Sequence, residues 1–267
     1  MSISYASLGS GSSGNSHFVG GREDALLLDC GFSGKKIEEN MRKCGLKPEK
    51  LKGILISHEH LDHIKGAGVM SRRYNIPIYA TGKTWEVIEK TVGKITDENR
   101  KIFNHEESFI VGDIRVKAFK IFHDAVEPSG FSFFKEDDDT PSLSIATDLG
   151  HICKSVEENI MGSKIVVLEA NHDVEMLKMG SYPYHLKRRI LSEVGHLSNL
   201  AAGEFAVELA KKGTKTILLG HLSRENNFPD LAYETVKGVL EERGIDTMND
   251  ITLQVLVREE ASKIFFP

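Results

Sequence analysis

Cysteine is scarce in this chain: Cys30, Cys44 and Cys153 are the only three in 267 residues, they form no CxxC pair, and their odd number excludes a complete disulfide framework. A reducing compartment is expected, with the three thiols as small core residues. Long apolar runs are also missing, since nothing approaches the ~18 uninterrupted residues of a membrane span. The start, Met1 to Tyr5, lacks the basic and apolar regions of a secretory signal. A soluble cytoplasmic protein with no membrane partner is expected. There is no basic excess either: 34 Lys+Arg stand against 39 Asp+Glu, for a net charge of −5. That excludes nucleic-acid binding by global field alone, so an anionic substrate has to be held by a local patch or by metal charge. Finally, no Pro/Ser-rich linker or charge block divides the chain. Residues 1–267 are expected to form one domain of two packed halves.

What is present is a succession of short apolar, β-branched runs. Ile3 to Leu8, Ala25 to Asp29, Ile54 to Ser57, Ile76 to Ala80, Ile114 to Ile121, Gly130 to Phe134, Ser142 to Thr147, Ile165 to Glu169, Thr216 to Leu219 and Ile251 to Val257 read as strands. Helical periodicity covers Lys35 to Lys43, Ile64 to Tyr74, Trp85 to Thr91, Val156 to Ile160, Leu186 to Val194, Leu200 to Lys211 and Leu231 to Glu242. Gly45, Gly213 and Gly244 follow three of these helices, where a positive φ is required, and Ser198 is placed to cap another. The class is α/β (α+β), a mixed sheet core with helices outside. The acidic run Glu136-Asp137-Asp138-Asp139 reads as a solvated hairpin tip.

The chemistry concentrates in His58-Glu59-His60-Leu61-Asp62-His63, which follows the apolar run Gly53-Ile54-Leu55-Ile56-Ser57. Imidazole nitrogen and carboxylate oxygen are the ligands that zinc, manganese and iron accept, and groups packed so densely repel one another unless a cation sits between them. Four more runs deliver a polar residue at a strand end: Asp29 after Leu27-Leu28, His123 after Ile121-Phe122, Asp148 after Ala146-Thr147, and His221 after Leu219-Gly220. A lone residue of this kind often caps backbone groups. Together with the histidine-rich stretch they form a far more specific pattern.

In order, Asp29, His58-x-His60-x-Asp62-His63, His123, Asp148 and His221 resemble the five motifs of the metallo-β-lactamase superfamily. The resemblance implies a four-layer αββα sandwich with two divalent metal ions, Zn2+ or Mn2+, at one edge of the sheets. One ion would take His58, His60 and His123, the other Asp62, His63 and His221, with Asp148 bridging. Asp29 would orient the ligand loop through hydrogen bonds. Two such ions about 3.5–4 Å apart lower the pKa of a bridging water towards neutrality and neutralise phosphoryl charge. Asp62 can both bind metal and steer the nucleophile. His196, in Gly195-His196-Leu197-Ser198-Asn199, resembles the proposed proton donor of the superfamily's tRNA-processing nucleases.

Almost end to end, the chain is similar to the YycJ/WalJ group within that superfamily. The segments that carry the likeness are Gly9 to Asn15, His60 to Gly66, Asn171 to Leu177, Lys187 to Ser192 and His221 to Asn227. This likeness implies a 5′-to-3′ exonuclease on double-stranded DNA, associated with DNA repair and its proteins. Candidate substrate contacts are Ser12, Ser13 and Asn15 in the Gly/Ser-rich turn, His172, and the basic Arg188, Arg189 and Arg224, with Lys187 beside them. The turn reads equally as a plain hairpin, His172 as structural, and the Lys-Arg-Arg run as a solvated helix face. His17, His105, His151 and His185 have no motif context. Two other hydrolase readings remain, an RNA-processing nuclease and a lactone or thioester hydrolase on the same scaffold. Against the first stands the lack of ~150 extra residues for the inserted domain of the larger RNA-cleaving nucleases. A di-iron redox protein of this fold would usually carry glutamate where His60 stands, and a dead scaffold would have lost ligands. None is missing.

Overall fold

Runs such as Ala25-Leu26-Leu27-Leu28 and Ile165-Val166-Val167-Leu168 are apolar at every position because these strands are covered on both faces. The computed structural model describes residues 3–135 and 138–267. Among them, one sheet runs β1 (Ser4–Gly11), β2 (Gly14–Gly20), β3 (Ala25–Leu28), β4 (Leu51–Leu55), β5 (Ile78–Ala80) and β6 (Arg100–Ile102) in spatial order. The second contains β7 (Ser108–Val111), β8 (Ile114–Lys120), β9 (Ser129–Phe134), β10 (Leu143–Ala146), β11 (Ile165–Glu169), β12 (Thr216–Gly220) and β13 (Thr252–Val255), again in spatial order. Outside the first sheet lie α1 (Gly34–Lys43), α2 (Leu61–Ile64), α3 (Ala67–Tyr74) and α4 (Gly82–Val92). The second half contributes α5 (Lys154–Ile160), α6 (Val174–Met179), α7 (Tyr184–Ile190), α8 (Asn199–Lys211) and α9 (Pro229–Glu242).

Period-two alternation sorts the side chains into three apolar layers. Leu26, Leu28 and Leu55 meet Phe131, Phe133, Val167 and Leu218 between the sheets. Leu27, Ile54 and Ile78 face Ile37, Met41, Met70 and Trp85 of the helices on one side. Val166, Leu168, Ile217 and Leu219 face Phe205, Leu209, Val236 and Leu240 on the other. This is the four-layer αββα sandwich.

Several expectations need correction. The strand pattern missed β2, β6 and β7: Gly14–Gly20 is rich in small and polar residues, and the other two are short and largely exposed. The helix expected from Ile64 to Tyr74 starts later, as α3 at Ala67, with Ile64 ending the separate turn α2, and between them Gly66 passes so close to the Phe32 carbonyl that a Cβ there would lie 2.3 Å from its oxygen. Of the thiols, all free, Cys30 is buried while Cys44 and Cys153 are only partly covered. Within the acidic run, Glu136 and Asp137 lie outside the described residues, and Asp138 and Asp139 are exposed between β9 and β10. Gly45, Gly213 and Gly244 do take positive φ, and Ser198 caps α8.

One core pair carries a pH prediction. The Tyr5 hydroxyl lies 2.8 Å from His17 Nδ1, and both side chains are fully buried. Burial first, then the nearby His63 and His221, push His17 from its usual 6.5 down to about 3. Below pH 6.5 the unfolded chain therefore binds a proton that the folded chain refuses, so stability falls as pH drops from 6.5 towards 3. The full loss is as much as ~5 kcal/mol. In chelator-treated protein, His17→Phe is expected to flatten the urea-unfolding free energy across that window, whatever it does to stability at neutral pH. An unchanged slope would assign the acid sensitivity to other groups.

Candidate active site

Strand direction assembles the site. β3 and β4 are parallel, as are β10, β11, β12 and β13, and β8 shares β10's direction because β9 is antiparallel to both. Their C-terminal ends open on one edge of the sandwich, where sheets of this kind hold ligands. Asp29 follows β3, the His58 to His63 stretch follows β4, His123 follows β8, Asp148 follows β10 and His221 follows β12. Asp29, Asp148 and His221 have φ of 60°, 61° and 54°, so each strand end turns sharply in a left-handed conformation that non-glycine residues adopt only under local constraint.

His58, His60 and His123 converge, with ring centroids 4.6 to 5.2 Å apart, and their nitrogens form one potential cation cradle. His63 Nε2 lies 3.4 Å from Asp148 Oδ2 and 3.6 Å from Asp62 Oδ2, while His221 Nδ1 lies 3.2 Å from the same Asp148 oxygen. The other Asp148 oxygen is 3.6 Å from His123 Nε2. Behind the cluster, Asp29 accepts from Ser57 N at 2.9 Å and Ser57 Oγ at 2.8 Å, and pairs with His63 Nδ1 at 2.8 Å. That carboxylate fixes the His63 ring so that Nε2 faces the site.

The electrostatics fit a cation. Burial, the largest influence, followed by His63 and His123, holds His58 well below the ordinary histidine range. For His63 burial is outweighed by Asp29, Asp148 and Asp62, which raise it well above that range. Burial would raise Asp148, yet His221 and His63 keep it well below the carboxylate range. Asp148 Oδ2 and His221 Nδ1 face each other at 3.2 Å without the alignment of a hydrogen bond, and both are buried with no hydrogen-bond partner among the described residues. Buried polar atoms left in this way are costly unless a positive ion lies between them. The clustered imidazoles and carboxylates are a ligand set for divalent metal ions.

His196 stands beside the cluster, its ring 4.9 Å from that of His123 and 5.4 Å from that of His221. Its Nδ1 lies 2.8 Å from Glu169 Oε1, while Glu169 Oε2 accepts from Leu149 N at 2.7 Å and Leu197 N at 3.1 Å. Burial works against a charge on His196, but Glu169 prevails and the ring is raised to about 9. The role of Glu169 escaped the reading of single motifs. It is fully buried at the end of β11, and the rule that selected Asp29 and Asp148, a polar residue ending an apolar strand, also selects it. Asp124 was missed as well: its Oδ1 lies 3.1 Å from His123 Nε2 and its Oδ2 2.9 Å from Arg189 Nε.

The expected substrate contacts divide. Ser12 and Ser13 are exposed at the turn of the β1–β2 hairpin, Arg224 is exposed on the loop after His221, and Arg188 is exposed with its guanidinium over the Tyr184 ring. Arg189, about half exposed, is tied to Asp124. Asn15 and His172 need correction, being 0% and 1% exposed. Asn15 holds the hairpin through Gly11 and lies 3.2 Å from His63 Nε2, and His172 is enclosed beside Ser198, so neither side chain reaches the open face.

Residues 25–221 match the Beta-lactamase superfamily domain, a span that takes in every residue of this cluster. The chain belongs to the metallo-β-lactamase superfamily. It is 42% identical to Exodeoxyribonuclease YycJ of Bacillus anthracis over 244 residues, 91% of each chain. It is also 42% identical to Exodeoxyribonuclease WalJ of Streptococcus pneumoniae over 238 residues, 88% of this chain and 87% of that one. In three dimensions it is similar to the metallo-β-lactamase fold protein YhfI of Bacillus subtilis, with a TM-score of 0.72 at 17% identity over the whole of both chains. A diphosphatase of the PhnP family gives a TM-score of 0.67 at 18% identity, covering 100% of this chain and 98% of the other. At these identities the two structures show the fold alone. Among the described residues, no helix is long and apolar enough to cross a membrane.

Proposed function

We propose that this chain is a cytoplasmic, single-domain phosphodiesterase that acts as a 5′-to-3′ exonuclease on double-stranded DNA and serves DNA repair. The observation that carries the reading is the convergence of His58, His60, Asp62, His63, His123, Asp148 and His221 at one sheet edge, with the His196–Glu169 pair alongside. The exodeoxyribonuclease relatives, similar over most of their length, supply the substrate class.

His58, His60 and His123 would hold one ion, and Asp62, His63 and His221 the other, with Asp148 shared. Bound there, two divalent cations such as zinc or manganese lower the pKa of water towards neutrality and neutralise charge on a phosphoryl oxygen. Asp62 has a side chain 27% exposed at the mouth of the cluster, and there it orients the attacking water. Its carboxylate stays ionised because His63 outweighs the effect of burial. His196 holds a proton for the leaving oxygen, and Glu169 keeps the ring in position through Nδ1. Asp29 and Ser57 hold His63 from behind at Nδ1, and Asn15 lies 3.2 Å from its Nε2.

The test is a panel. Metal-free protein is reloaded with zinc or manganese and offered end-labelled duplex DNA, single-stranded DNA, RNA and a lactone, with Asp62→Asn in parallel. Shortening of duplex DNA from its 5′ end, much reduced in Asp62→Asn, is expected. Turnover of the lactone alone would end the nuclease reading, and RNA as the preferred polymer would replace DNA.

A further inference from the structure

A second concavity lies beside the cluster, on the same edge of the sandwich. β13 is parallel to β12, so the chain leaving it emerges next to His221, where Leu256 N donates to Leu219 O at 2.8 Å and Val257 O accepts from Ser10 N at 3.1 Å. Between this segment, the loop after His221 and the start of α9 is a cavity of about 380 Å3, within the range of small-ligand sites, roughly 300–1,000 Å3. Arg224 and Arg258 supply its charge, while Phe228 and Val257 supply apolar wall. Ser10 joins it to the cluster, because it lines the cavity and its Oγ accepts from His221 N at 2.9 Å.

Neither guanidinium is neutralised by a carboxylate: among the described residues neither Arg224 nor Arg258 makes an ion pair, and Arg258 Nε is buried without a hydrogen-bond partner, while Arg258 Nη2 donates to Leu222 O at a long 3.4 Å. The Arg258 stem lies flat over Gly11, where a Cβ would come 2.8 Å from its Cγ. The Gly/Ser-rich hairpin thus seats this arginine at the site. Asn227 stiffens the opposite wall by donating to Ala170 O and Asn171 O at 2.9 and 3.0 Å. Phe228, 50% exposed, offers an open ring.

Guanidinium forks match phosphate oxygens, and an exposed ring beside them matches the face of a base. We propose that this cavity binds one nucleotide of the DNA strand next to the scissile bond, its phosphate between Arg224 and Arg258 and its base against Phe228. The proposal rests on the phosphodiesterase reading above and adds to it where the strand lies.

The experiment measures anisotropy of a fluorescent, phosphorothioate-protected duplex on the metal-loaded protein, across a salt series, for wild type, Arg258→Gln, Arg224→Gln and Phe228→Ala. Each arginine variant is expected to weaken Kd about tenfold and to flatten the plot of log affinity against log salt by ~0.9, the loss of one phosphate contact. Phe228→Ala is expected to weaken binding with the slope unchanged. If Arg258→Gln does not fold, the other two decide, because both of those side chains are largely exposed. Wild-type affinity and slope in Arg224→Gln and Phe228→Ala would overturn the pocket. A wild type that cleaves no nucleic acid would instead overturn the function, so the two failures are distinguishable.

Discussion

Asp148→Ala is expected to lose bound metal and activity together, with cleavage of end-labelled duplex DNA falling by on the order of 10³-fold, the upper end of what one preorganised electrostatic group supplies. Asp148 is the carboxylate that faces imidazoles of both proposed ligand groups: one oxygen is 3.6 Å from His123 Nε2, and the other is 3.4 Å from His63 Nε2 and 3.2 Å from His221 Nδ1. Removing it leaves the two proposed ligand groups with no shared carboxylate, in a pocket where His58 and His63 are fully buried. Elemental analysis of the purified variant checks the first half and the cleavage rate the second. Full metal content with full activity would show that Asp148 does not bridge.

His196→Ala is expected to separate chemistry from metal binding. Metal content should match wild type while cleavage slows by ~10²- to 10⁴-fold, the usual contribution of a positioned acid. Glu169→Gln acts in the same direction through His196. Oε1 faces the imidazole and Oε2 accepts from two backbone N–H groups, so the amide nitrogen of a glutamine either faces those N–H donors or turns to Nδ1, where it can donate only to an unprotonated nitrogen, and in both cases the charged ring loses its carboxylate. The readout that separates a proton donor from a structural residue is leaving-group dependence. A p-nitrophenyl phosphodiester expels a phenolate that needs no proton, so His196→Ala should lose far less on it than on DNA. Equal losses on both, or loss of metal, would make His196 structural.

How much was legible depended on where each residue drew its partners. The residues that gather at the site could be read from the chain because polar residues ending buried strands stand out against apolar runs, as Asp29, His123, Asp148 and His221 do. Glu169 obeys the same pattern, and what gives it meaning is His196, 27 residues later. The substrate contacts were read least well. Asn15 sits in a stretch of glycine and serine that looks exposed, yet it is sealed against His63, and His172 is enclosed beside Ser198. Burial of a polar side chain is set by what packs over it, and neither its own identity nor its neighbours in sequence report that. Arg258 illustrates the converse: a basic residue near the end of the chain becomes part of a site only because β13 pairs with β12 and Gly11 leaves room for its stem.

From sequence alone came the mixed sheet core with helices outside and a set of candidate metal ligands, since apolar period and strand-end chemistry are local properties. The four-layer order and the division of those ligands between two ions rested on the resemblance to the superfamily. Only the folded sandwich decided which nitrogen faces which oxygen, which histidine is paired with Glu169, and where Arg224 and Arg258 border the cleft. Those relations depend on contacts between residues far apart in the chain, such as Ser10 with His221 and Asp29 with His63, and they exist only once the two sheets have closed on each other.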